Sequence, residues 1–267
     1  MTKKSADRLN RDRRKLPKPR DVAAAMIHDD KLIIVTKDML VKQLHRDGPL
    51  VAKSFDRLTK TDVAECSVVF ARAQSKLLRH LPNVDDTNFH ATAARLLFSA
   101  TNSYVASIEV ARHGYPRQYG SIARMVVETL ATVLAIATEP ASLKKFHEGK
   151  LNSTKCIPAA KKCLPMIAPL YGMLSNEFVH IGVGHAMLQG PSFYKSEDES
   201  LQLIVSMMRG LILLIDMVVD LVFGPEVGST LYWRQEGDGW SFDPDPVTRD
   251  WIHKFSQIHD DPTEEET

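Results

Sequence analysis

Arg124 and Glu128 lie four residues apart on a run that is otherwise apolar nearly all the way round, and Ala131 and Ala135 continue their stripe. A helix of that kind belongs at the centre of a fold, so its two charges are expected to be at least partly buried and therefore paired. A later run, Tyr171-Gly-Met-Leu174-Ser175-Asn176-Glu177-Phe178-Val179-His180, offers the partner. Leu170, Leu174, Phe178 and Ile181 give it one apolar face, and Asn176 and His180 lie one helical turn apart on another. A histidine serves as acid or base near neutral pH once a neighbour fixes its proton, a role open to Glu128 or Asn176. The candidate site is therefore His180, Arg124, Glu128 and Asn176, with the first three expected to meet within hydrogen-bonding reach. The same residues also fit a second reading, a structural Arg–Glu–His cluster in a non-catalytic protein.

Other chemistries find less support. Glu177-Phe-Val-His180 is the unit that di-iron bundles use, but a second one is missing, and Asp250-Trp-Ile-His253 falls outside the helical region. His180 and His185 are separated by Gly182 and Gly184, and no third zinc ligand accompanies them. Cys66, Cys156 and Cys163 form no Cys-x-x-Cys pair and leave an odd thiol, which points to a reducing, cytoplasmic setting. Glycine carries no phosphate-loop spacing, so neither a metal nor a cofactor is expected. Lys+Arg total 34 and Asp+Glu 33, so no overall field marks a nucleic-acid or membrane binder. No 18-residue run is free of charge, which argues against a membrane span. The balance hides an asymmetry, with a basic arm at residues 1–20 and an acidic tail at 258–267. The arm attracts phosphate but has no aromatic residue to stack on bases.

The elements that must position these residues are helical. Pro82, Pro116 and Pro140 each end a long periodic run. The runs cover about Asp62–Leu81, Asn88–His113, Arg117–Ala137, Met166–Ile181 and Leu201–Phe223, with Asp62 and Glu65 placed as a capping pair for the first. The fold class expected is all-α, a bundle of about five long helices with a small C-terminal hairpin and helix. The divisions are a flexible arm at 1–20, an extension at 21–60, the bundle at 62–223, the hairpin and short helix at 229–257, and the tail. Residues 31–36 fit a short strand or an apolar helix start. In the last long run, Arg209, Asp216 and Asp220 read as a solvated stripe, and the wide apolar remainder serves both the core and a dimer seam.

An Arg-x-x-x-Glu helix followed by Tyr-x-x-Leu-Ser-x-x-x-His, here Arg124–Glu128 and Tyr171–His180, resembles uncharacterised bacterial helical proteins related to the HEPN superfamily. The similar stretch covers roughly residues 62 to 223. Many members of that superfamily are metal-independent ribonucleases of toxin–antitoxin or phage-defence systems, commonly homodimers. The resemblance thus implies RNA as substrate, a second copy or an antitoxin as partner, and His180 in acid–base work. Their signature is an Arg four to six residues before the His. Here Met173, Leu174 and Ser175 stand in the arginine's place, and Arg124 from the neighbouring helix is the one substitute.

Overall fold

A computed structural model of the chain describes residues 17–28, 31–80, 88–182, 191, 193–196, 198–227, 230–237 and 239–257. Two compact units divide at Leu50/Val51. In the first, a 3-10 turn at Pro19–Asp21 leads into an antiparallel hairpin of β1 (Val22–His28) and β2 (Lys31–Thr36), so residues 31–36 are a strand. The short helix α1 (Met39–Lys42) follows and continues as a π-helical turn, Gln43–Asp47. The basic arm up to residue 16, the acidic tail and His185 lie outside the described residues.

α2 (Gly48–Leu58) runs across the division. The second unit continues with α3 (Lys60–His80), α4 (Phe89–Arg112), α5 (Pro116–Thr138) and α6 (Pro140–His147). After a 3-10 turn at Ser153–Cys156 come α7 (Ile157–Cys163), α8 (Ile167–Leu174) and the long α9 (Glu199–Val227). The C-terminal extension is the hairpin β3 (Trp233–Glu236) and β4 (Gly239–Phe242), then α10 (Pro246–Ser256). The architecture is all-α with two small hairpins.

Local chemistry accounts for the boundaries. The Asn88 side chain accepts a hydrogen bond from the Ala91 amide at 2.8 Å and so caps α4. That helix stops where Gly114 takes a φ of 84°, a left-handed turn that favours glycine. Pro116 and Pro246 sit in the first turns of their helices, where no amide bond is lost, and Asp245 caps α10 through the Thr248 amide. α9 runs on through Gly224-Pro225 to Val227, past the end expected at Phe223, at the loss of the one amide bond that Pro225 cannot donate.

α9 packs on α3, α4 and α5, and α5 packs in addition on α4, α7 and α8. α5 and α9 reach the length and apolarity of a membrane-crossing helix, and most of that surface is buried against neighbouring helices. Tyr104, Leu130, Leu174 and Leu211 lie in the core, and Phe178 packs partly buried against it. α5 turns further than its apolar pattern suggests. Met125 is half exposed, whereas Ala131 and Ala135 on the Arg124 stripe are buried. A helix apolar on nearly every side carries little directional signal, and the small alanines admit close neighbours.

The Met166–Ile181 run is not one α-helix. α8 ends at Leu174 and gives way to a π-helical turn at Ser175–Val179, after which His180 is extended. Ser175 donates its hydroxyl to the Tyr171 carbonyl at 2.7 Å, a back-bond that loosens the helix. The His180 amide bonds the Ser175 carbonyl rather than that of Asn176. Asn176 and His180 therefore do not share the one-turn relation that an α-helix would give them. Phe178 is seated so closely against Gly120 of α5 that a Cβ there would lie 2.1 Å from its ring.

Candidate functional site

Three pieces of chain position Arg124. α5 carries it one turn before Glu128, the 3-10 turn supplies Ser153, and α8 supplies Tyr171. Arg124 Nη2 lies 3.0 Å from Glu128 Oε1 and donates to the Tyr171 hydroxyl at 2.7 Å. The guanidinium also sits 4.9 Å from the centre of the Tyr171 ring, so the tyrosine meets the cation with both face and hydroxyl. Ser153 donates to the other oxygen of Glu128 at 3.1 Å. The turn bearing Ser153 is itself capped, since Asn152 Oδ1 accepts from the amide and hydroxyl of Thr154. About a fifth of each charged side chain reaches solvent, 18% for Arg124 and 20% for Glu128. Among the described residues, Arg124 Nε is buried without a hydrogen-bond partner.

The four expected site residues thus separate into two groups. Arg124 and Glu128 are joined to each other and to Tyr171 and Ser153. Asn176 and His180 are exposed, and among the described residues no hydrogen bond or ion pair ties either side chain to Arg124 or Glu128. Periodicity overlooked Tyr171 and Ser153 as partners of the pair. Tyr171 stood in the quoted motif, five residues before Asn176, and its amphipathic side chain was the available signal.

A second polar cluster overturns the expectation of a solvated stripe on α9. Arg209, Asp216 and Asp220 are all fully buried. Arg209 bonds Asp62 at 2.6 Å, Glu65 at 2.8 Å and the Phe255 carbonyl at 2.8 Å, and stacks over the Phe255 ring. Asp62 is thus no helix cap; α3 begins two residues earlier, and the carboxylate holds Arg209. Asp216 accepts from Arg72 at 2.6 Å and from the Tyr232 hydroxyl at 2.6 Å. Asp220 pairs with Lys76 and accepts from the amides of Leu231 and Tyr232. Arg72 and Lys76 both meet residues 144 positions further on, so α3 and α9 run parallel here. These contacts also tie the C-terminal extension to the bundle. Most of the apolar side chains of α9 are buried as well, Leu203 being 41% exposed.

The thiols are free, and burial pushes that of Cys66 up to about 11, away from nucleophilic use. Among the described residues no group of three His, Cys, Asp or Glu side chains is placed to hold a metal ion. Comparison with protein-family models, with curated proteins and with solved structures returns no match.

Proposed function

We propose that the chain is a non-catalytic helical interaction module whose Arg124–Glu128 centre is structural. The observation that carries this reading is the engagement of Arg124 by Glu128, by the Tyr171 hydroxyl and by the Tyr171 ring, while His180 stands exposed outside that network. A phosphate-stabilising arginine must turn its charge to the developing anion, and this guanidinium is already neutralised by Glu128 on its own helix. The test is incubation of the full chain and its His180→Ala variant with single-stranded RNA in the absence of added metal. No cleavage above the buffer rate is expected from either, with matching melting curves. Cleavage by the parent chain that disappears in the folded variant overturns this reading.

That outcome would establish a second reading, an RNA-directed effector of a toxin–antitoxin or phage-defence system, resembling HEPN ribonucleases. One observation favours it. Lys144, Lys145, Lys150, Lys155, Lys161 and Lys162 are all exposed, with Glu148 the single acid between them, and this stretch includes the Ser153 that bonds Glu128. Lysines so placed suit phosphate contact, with affinity that falls as salt rises. In such cleavage His180 would take the 2′-hydroxyl proton as that oxygen attacks phosphorus, and the 5′-oxygen would leave with a proton from solvent.

A further inference from the structure

Within the first unit, β1 and β2 expose large apolar side chains in consecutive pairs: Met26 with Ile27, and Leu32 with Ile33. Consecutive strand residues point to opposite faces, so both faces of the hairpin are apolar and open to water. Such runs are the mark of strands covered on both sides, and a lone two-stranded hairpin is marginally stable in water. Met39, Leu40, Val41 and Leu44 extend the apolar surface along the helical stretch that follows. Each of the eight is between 43% and 77% exposed. At roughly 100 Å² apiece they leave on the order of 800 Å² of apolar surface exposed, more than a typical monomer leaves open in one patch.

We infer that residues 22–44 form a homodimer interface in which β2 pairs edge to edge with β2 of a second copy, giving a four-stranded antiparallel sheet. The occupant follows from the two edges. β1 is irregular, with a register shift between Val22 and Ala24 and Pro19 just before it, features that blunt an edge. β2 pairs in unbroken register from Lys31 to Val35 and carries no proline or charge between Leu32 and Val35. An edge that meets its own copy about a twofold axis must be self-complementary. Centred on Ile33, the pairing sets Ile33 opposite the partner's Ile33, a β-branched cross-strand pair, and Leu32 opposite the partner's Ile34. The proposal is independent of both functional readings.

Light scattering on the full chain at tens of micromolar tests it. The expected mass is twice 29.9 kDa, and Ile33→Lys is expected to return it to 29.9 kDa with an unchanged helical dichroism spectrum. A parent chain that weighs 29.9 kDa, or a folded Ile33→Lys chain that keeps the doubled mass, overturns the proposal. Should the variant misfold, amide exchange of the parent chain decides. Protection of residues 32–35 is expected to fall about tenfold or more on dilution through the dissociation range. Protection that does not change with concentration refutes the interface.

Discussion

Arg124 and Arg209 are both helix-borne, both stack on an aromatic ring and both are paired with carboxylate, yet they are held in different ways. Arg124 finds its acid on its own helix and keeps about a fifth of its surface in water. Arg209 is wholly buried and reaches two acids on α3, 147 and 144 residues away, together with a backbone carbonyl on α10. Water can take over part of the work at Arg124 if Glu128 is lost. Loss of Asp62 would leave the wholly buried Arg209 with Glu65 as its one remaining acid and no water to take over the lost bonds. The first cluster fastens one side of α5 to the 3-10 turn at Ser153 and to α8, and the second joins α3, α9 and the C-terminal extension.

The comparison breaks most sharply at Arg209. Arg209→Ala leaves Asp62 buried without its cation and is expected to cost about 3–5 kcal/mol in urea unfolding. The double variant Arg209→Met/Asp62→Leu should recover much of that loss, because it leaves no orphaned charge. Asp220→Ala comes next. It strands Lys76 and two backbone amides, and a loss of about 2–3 kcal/mol is expected, with faster amide exchange in residues 231–236 than elsewhere. Gly120→Ala, on the Arg124 side, forces Phe178 off α5; a destabilisation of about 1–3 kcal/mol should show as a lower melting temperature.

The smallest effect expected is at the exposed Asp56–Arg112 pair. The Arg112 guanidinium, bonded at 2.6 and 2.7 Å, holds the Asp56 carboxyl below its ordinary value of 3.8. A carboxyl depressed in the folded state contributes stability above its unfolded value, and that contribution is lost as pH falls through the folded one. The gap between the parent chain and Asp56→Asn should therefore be largest at neutral pH and close in acid. With both side chains substantially exposed it stays under about 1 kcal/mol.

The helices were legible because their signals are local. Asn88 marks its cap, Pro116 its first turn and the apolar period its buried face. The Arg124–Glu128 pair was legible for the same reason, as four residues on one helix bring the charges together wherever the helix packs. His180 was misplaced because a π-helical turn, driven by Ser175 and by the seat of Phe178 on Gly120, leaves no mark in a 3.6-residue period. The α9 stripe was misread because burial of a charge depends on a partner far along the chain. A signal did exist: Glu65, Arg72 and Lys76 repeat the spacing of Arg209, Asp216 and Asp220 with opposite signs. Matching two such stripes requires knowing that α3 and α9 are parallel neighbours.

The structural role of Arg124 is tested most directly by urea unfolding of Arg124→Met beside His180→Ala. The expected result is a loss of about 2 kcal/mol for Arg124→Met, since Glu128 and the Tyr171 hydroxyl lose their charged partner, and a change within about 0.5 kcal/mol for the exposed His180. An Arg124→Met chain as stable as its parent but stripped of an RNA-cleaving activity would contradict it.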